Sequence, residues 1–280
     1  MLHPDHERRM NEFIRMANLF EEKRYYETAN QILNLAETLK EKQVPKDFLK
    51  KLDLLFETFQ GEFVDSLIVG QNYRKRCFEE IKGIVFKAIG RMGPDFAKSI
   101  LTIYPLFQRL NYAKRITGDI AEELGNKRIR NQNVVFHLRC YAYLILVEGI
   151  FDELARILYF LSVVSKNNVP DLANLERMTI WKILRELKTK PVFLERWGEK
   201  KHIRNSIGHV RIDYDFRSSP SVIHFIDVNE KKGIITYDRN LTMRKFVEIA
   251  LELEESVEAF IYTFILLKIY DLIVSEKPFQ

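Results

Sequence analysis

The chain has little of what marks several large protein classes. Its two cysteines, Cys77 and Cys140, lie far apart and belong to no C-x-x-C pair, which argues against a disulfide-stapled scaffold and a cysteine metal box. With only 11 glycines and 8 prolines in 280 residues, an all-β chain with many turns is not expected. There is no internal repeat and no low-complexity tract. The sequence contains no G-x-x-x-x-G-K-[ST], no H-E-x-x-H and no G-x-S-x-G, so P-loop, zincin and α/β-hydrolase chemistry are not indicated. No metal or other cofactor is expected. The opening residues Met1–Arg9 carry no apolar signal core, and together with two lone thiols they predict a cytoplasmic, reduced protein. The most apolar stretches, Tyr141–Val164 and Ala259–Val274, are interrupted by Glu148, Asp152, Glu153 and Arg156, and by Lys268 and Asp271. They read as buried helices, and no membrane partner is expected.

What is present is enough for a large core. Apolar residues make up 46% and charged residues 30%, with 20 Phe and 12 Tyr, a composition that fits thick helix–helix packing. The 44 basic residues outnumber the 39 acidic ones and set the pI near 9.0, a lean towards an anionic partner such as RNA.

Apolar positions three and four apart predict helices over residues 6–22, 24–41, 47–60, 63–90 and 95–124. Pro45 separates the second from the third, Gly90 with Gly93-Pro94 separates the fourth from the fifth, and Pro105 kinks or splits the fifth. The polar run from Gly125 to Asn133 predicts a boundary between an N-terminal helical region of unknown role, 1–128, and a second domain, 129–280. The second begins with a long helix from Val134 to Val164, with a seam of Cys140, Leu144, Val147, Phe151, Leu154, Leu158 and Leu161. A helix follows over 171–188, and Pro191 opens a third that reaches Arg204. Strict alternation from Val210 to Phe216 predicts a strand. Ser221–Val228 and Gly233–Tyr237 predict two more around a hairpin loop at Asn229–Gly233. Thr242–Ile273 is a final amphipathic helix. The expected fold is mainly α: an up-and-down bundle with a small β-hairpin insertion, preceded by further helices.

Four pairs in the chain have an Arg followed, after four to six residues, by a His: Arg130 with His137, Arg196 with His202, Arg204 with His209, and Arg217 with His224. Spacing does not choose among them, but context does. Only Arg204–His209 ends a third helix directly before the strands and the long last helix. Here Lys201-His202-Ile203-Arg204-Asn205-Ser206-Ile207-Gly208-His209 resembles the HEPN superfamily, whose signature is Arg, a polar residue that is often Asn, three further residues and His. The resemblance covers about half the chain, residues 133–276, including Ile203 and Ile207. It implies a metal-independent endoribonuclease that acts as a homodimer, a defence or toxin effector in which the RNA 2′-OH is the nucleophile. His209 would be general base or acid, Arg204 would steady the phosphate and Asn205 would orient it. Those residue types suit the chemistry: imidazole exchanges protons near neutrality, and guanidinium offers a planar fork of donors. On a regular helix, residues five apart point about 140° away from each other. Arg204 and His209 therefore converge only if the helix ends near Gly208 or a second protomer supplies one of them.

Plainer roles stand beside this. Arg204 is also what a helix C-terminus attracts as a cation, and His209 fits a helix–strand corner. A HEPN-like module that binds RNA, nucleotide or protein without cutting is the alternative function. His202, Lys201 and Arg211 are candidates for holding RNA or lining the cleft. Glu148, on an otherwise apolar helix face, either lines the cleft or pairs with an arginine. Some HEPN toxins carry a tyrosine two residues after the histidine, where a partner enzyme modifies them. That position here is Arg211, so this control is not expected, and any antitoxin or regulator is left unnamed.

Overall fold

The computed structural model describes residues 4–38, 48–65, 71–92, 95–125, 129–166, 168–187, 197–215, 217 and 219–274. Pro45, Gly93, Pro94, Asn126–Arg128, Pro191 and Phe216, used above as punctuation or strand residues, lie outside them. The protein is mainly helical with one small antiparallel sheet. Helices α1 (Pro4–Glu22), α2 (Tyr26–Thr38), α3 (Phe48–Asp65), α4 (Gln71–Met92), α5 (Asp95–Thr102) and α6 (Tyr104–Gly125) form the first part. The break between α5 and α6 falls where Pro105 enters the first turn of α6, the place a proline tolerates in a helix.

Asn131 opens the next helix by accepting a hydrogen bond from the Asn133 amide at 2.9 Å. This element is continuous from Gln132 to Val164 but not uniform. It comprises α7 (Gln132–Ile145), a π-helical turn (Leu146–Phe151) and α8 (Asp152–Val164). By length and composition it could cross a membrane. In the fold its seam of Cys140, Val147, Phe151, Leu154, Leu158 and Leu161 is buried. The expected helix over 171–188 is two short ones, α9 (Leu172–Arg177) and α10 (Ile180–Glu186). They break at Met178 because Thr179 turns its hydroxyl onto the Lys182 amide and starts a new helix. The helix bearing the motif is α11 (Trp197–Gly208).

Strands β1 (Ile212–Asp215), β2 (Val222–Asn229) and β3 (Ile234–Thr242) form a meander in that order. The hairpin loop is as the sequence predicts, with Gly233 at φ +64° closing it through its amide to the Asn229 carbonyl. The first strand starts at Ile212 rather than at Val210, and β3 runs on past Tyr237 to Thr242. Helix α12 (Met243–Val274) ends the described chain.

Helix α12 is the post around which the rest assembles. Its Tyr262 ring packs against Phe20 at 4.9 Å and against Tyr25 and Phe59 at 5.5 Å, all aromatics of the first part. Buried apolar side chains from both parts, from Phe13 to Ile269, belong to one connected cluster. Two buried carboxylates of α12 are answered from outside it. Glu255 pairs with Arg74 of α4, which also donates to the Phe63 carbonyl at 2.8 Å, and Glu252 lies 3.8 Å from the Lys200 ammonium of α11. The Tyr73 hydroxyl bonds the Glu252 carbonyl at 3.0 Å.

A buried pair is strongly destabilised by removing one partner, because the other charge stays behind. Arg74→Met is expected to cost about 3–5 kcal/mol in urea unfolding. The double variant Arg74→Met, Glu255→Leu is expected to recover most of that loss, and a double variant as unstable as the single would count against this account of the seam.

Candidate functional site

Helix α11 presents two chemically distinct sides. Ile203 and Ile207, one turn apart, are buried with Lys200 and Ser206 and seat the helix on the core. His202, Arg204 and Asn205 are half-buried on the flanks, where they meet the long helix on one side and the sheet on the other.

The sheet contributes a residue that periodicity alone could have found. In β2 the inward positions alternate as Ile223, Phe225 and Asp227, so a carboxylate continues an apolar face. Asp227 is only 4% exposed. One of its oxygens, Oδ2, accepts from Asn205 Nδ2 at 3.0 Å and sits 2.6 Å from His202 Nδ1. Burial pushes this carboxyl up, but the hydrogen bonds from His202 and Asn205 and the nearby charges of His202 and Lys201 outweigh it, holding the acid below its usual range. A bulge between Asp227 and Val228 disturbs the register with β3, and Thr236 Oγ1 donates to the Asp227 carbonyl at 3.2 Å. Tyr237, opposite Asp227, stacks its ring on His202 with centroids 5.2 Å apart and planes 8° from parallel.

The chain of contacts continues to the long helix. With its amide nitrogen committed to Asp227, Asn205 turns Oδ1 outwards and accepts from Arg204 Nη1 at 2.8 Å. Arg204 Nε in turn lies 2.6 Å from Glu148 Oε1. Glu148 belongs to the π-helical turn, and its neighbour Gly149 explains why that turn can lie close to α6: a Cβ there would come within 2.9 Å of the Ala113 Cβ. Glu148 also borders a cleft of about 480 Å³ lined by Gln108, Arg109, Tyr112 and Glu153. Of the two roles expected for it, the pairing with an arginine is the one seen; the cleft it borders includes none of Arg204, Asn205 and His209.

His209 lies at the other end. Helix α11 closes in a left-handed turn in which the Arg211 amide reaches the Ser206 carbonyl at 2.7 Å and the Val210 amide the Ile207 carbonyl at 3.0 Å. The helix does end at Gly208, but the left-handed residue is not that glycine. It is Val210, at φ +54° and 83% exposed, a conformation that β-branched residues rarely adopt. His209 Nδ1 lies 3.8 Å from Glu230 Oε1 at the hairpin tip, and the same oxygen accepts from Arg211 Nη2 at 3.0 Å.

The sequence-predicted residues thus fall into two groups. Arg204, Asn205, His202 and Glu148 are joined by hydrogen bonds and ion pairs running through Asp227. His209 and Arg211 share Glu230. Among the described residues no bond links Arg204 to His209. Lys201 belongs to neither group and holds its ammonium 5.0 Å from the Trp181 ring. Among the described residues no group of three or more His, Cys, Asp or Glu is arranged to hold a metal ion. The inward alternation of β2 marks Asp227, whereas Tyr237 reaches α11 through its pairing with Asp227 and Glu230 through the hairpin turn, neither of which has a local signal.

No protein-family model, curated protein or solved structure matches this chain.

Asp152, at the start of α8, lies within the field of Arg204. Burial raises its carboxyl to about 6, while Arg156 (3.9 Å away) and Arg204 pull it down and Glu153 and Glu148 oppose them. The folded protein therefore holds a proton there that the unfolded chain, with an aspartate pKa of about 3.9, releases. Stability from this group falls as pH rises between about 4 and 6. Asp152→Asn is expected to flatten that decline in melting temperatures measured from pH 4 to 7 and to leave the variant the more stable at neutral pH. Parallel profiles for variant and wild type would contradict the assignment.

Proposed function

We propose that the protein is a metal-independent endoribonuclease of HEPN type that works as a homodimer. The observation that carries this reading is the terminal turns of α11, where Arg204 and Asn205 are fixed by Asp227 and Glu148 while His209 stands exposed beyond the last turn. A phosphodiester needs a guanidinium held in orientation and an imidazole open to solvent. In the reaction the RNA 2′-oxygen loses its proton to one imidazole and attacks the adjacent phosphorus. The P–O5′ bond breaks, and the departing oxygen takes a proton from an imidazolium. The products are a 2′,3′-cyclic phosphate and a 5′-hydroxyl.

The dimer follows from the separation of the groups. Arg204 faces Glu148 and His209 faces Glu230, so one chain offers its two functional groups to different neighbours. A two-fold mate brings a second histidine and a second arginine to the same phosphate. Exposed Val210, next to His209, and exposed Ile234 and Ile235, on the strand that leaves the Glu230 hairpin, give that mate apolar side chains to cover. Such assembly is to be measured by light scattering at micromolar concentration. A monomer with full ribonuclease activity would rule out the shared site.

One observation favours the second reading, a module that binds RNA without cutting it. Glu148 already occupies the Arg204 guanidinium at 2.6 Å. Catalysis requires the phosphate to share or displace that partner.

The deciding test is mutational. His209→Ala is expected to lower RNA cleavage about 10²–10⁴-fold with folding intact, the usual contribution of a positioned proton-transfer group. Arg204→Ala and Arg204→Lys should both fail, since lysine keeps the charge without the two-pronged geometry. EDTA should leave the activity unchanged, and DNA and 2′-O-methyl RNA should survive. Cleavage that persists in His209→Ala, or that needs a divalent ion, disproves the mechanism; binding without cleavage by the wild type moves the protein to the second reading.

A further inference from the structure

A second feature of α11 points away from the bonds just described. Trp181, on α10, is 54% exposed, although an indole is among the side chains most strongly driven from water. It is not bare of chemistry. The Lys201 ammonium stands 5.0 Å from its ring centroid, and Arg185 follows one turn later on the same helix, on the face that Trp181 occupies. Lys182 flanks it. Most basic side chains bordering the motif are matched by acids: Arg109 by Glu153 and Glu176, Arg156 by Asp152, Arg204 by Glu148, and Arg211 by Glu230. Lys182, Arg185 and Lys201 have no ion-pair partner among the described residues, and the nearby Glu186 is taken by the Tyr159 hydroxyl at 2.7 Å. An exposed aromatic plane with one cation over it and two more without an ion-pair partner on its own short helix is suited to a ligand that is flat and apolar in one part and anionic in the next. An unpaired nucleotide has that form.

Position relative to the motif sharpens this. Lys201 precedes Arg204 by three residues, so the two side chains are neighbours on the surface of α11. A strand whose phosphate reached Arg204 would run its adjoining phosphate past Lys201 and set a base against the indole. The existing cation–π contact marks that indole face as accessible from above, and Lys201 can move onto a phosphate as a base takes its place.

We propose that Trp181, with Lys201 and Arg185, forms a stacking subsite for an unpaired base of single-stranded RNA one step along the strand from the nucleotide at Arg204. The proposal rests on the ribonuclease reading for the direction of the strand, but the subsite itself needs only RNA binding. It is tested with the full-length protein and a fluorescent 2′-O-methyl RNA oligonucleotide, which the proposed chemistry does not cut. Loss of a base–aromatic stack is expected to weaken binding about 5- to 150-fold in Trp181→Ala, while Trp181→Phe keeps most of the affinity. Lys201→Ala and Arg185→Ala should each lower affinity and make log Kd less steep against log salt. Because these side chains lie at the surface, circular dichroism and melting temperature should be unchanged.

The outcomes separate the two ideas. An oligonucleotide that binds wild type and Trp181→Ala equally, or binds neither, overturns the subsite. Tight binding that Trp181→Ala loses, by a protein that never cuts RNA, upholds the subsite and removes the nuclease. Cleavage with an unaltered KM in Trp181→Ala does the reverse.

Discussion

Burying a charge in a helical core is costly unless an opposite charge meets it there, and α12 imposes that condition twice within one turn. Glu252 is met by Lys200 and Glu255 by Arg74, so the last helix, the motif helix and α4 have one mutual register in which both carboxylates are answered. Sliding α11 by a turn would leave Lys200 among apolar side chains and Glu252 alone. Apolar packing is far less particular, since leucines and phenylalanines repack at modest cost. The two ion pairs therefore supply positional specificity to a core whose bulk comes from aromatic and aliphatic burial. The height at which Arg204, one turn beyond Lys200, arrives beside Glu148 depends on them.

From that anchored helix the polar network spreads by hydrogen-bond logic alone. Asp227 accepts, so Asn205 must turn its amide nitrogen to it and its oxygen to Arg204. His202 is kept in place by the same carboxylate oxygen and by the flat face of Tyr237. The sheet is small, but without β2 there is no buried acceptor, and Tyr237 meets Asp227 through the unbroken register that runs from the Val222–Thr242 pair. A carboxylate on an inward strand position, satisfied on one side only by residues of the motif, ties the sheet to the helix end as firmly as apolar contact would.

How much of this was legible in the sequence differed by length scale. Long periodic runs announced the helices, Pro105 announced a break, and the Ile212–Tyr214 alternation and the Asn229–Gly233 loop announced the sheet. Each depends on neighbours within a few residues. The break at Met178 was hidden because Thr179 is compatible with a helix interior as well as with a cap, and only the Lys182 amide decided. Gly208 drew attention as the natural helix terminator, yet the backbone left its right-handed course two residues later, at a valine that no propensity scale would choose. The spacing of Arg204, Asn205 and His209 is plain in the sequence and the β2 alternation marks Asp227, but Tyr237 and Glu230 reach α11 only through the β2–β3 pairing and the hairpin turn. Trp181 likewise gave no signal, since an exposed indole looks like a core residue until the fold fails to cover it.

The π-helical turn has an effect that reaches beyond Glu148. Such a turn holds one residue more than an α-helix would over the same rise, and one residue is about 100° of rotation. The segments before and after it are therefore two helices of different phase sharing one axis. The first turns Phe136, Cys140 and Tyr143 into the core, with Tyr143 bonding the Lys200 carbonyl at 3.1 Å. The second turns Leu154, Leu158 and Leu161 inwards with the α4 side of the molecule. Leu146–Phe151 works like a keyed coupling between two shafts: it fixes the angle between them, so each end can keep its own partners while the joint carries the carboxylate that Arg204 meets.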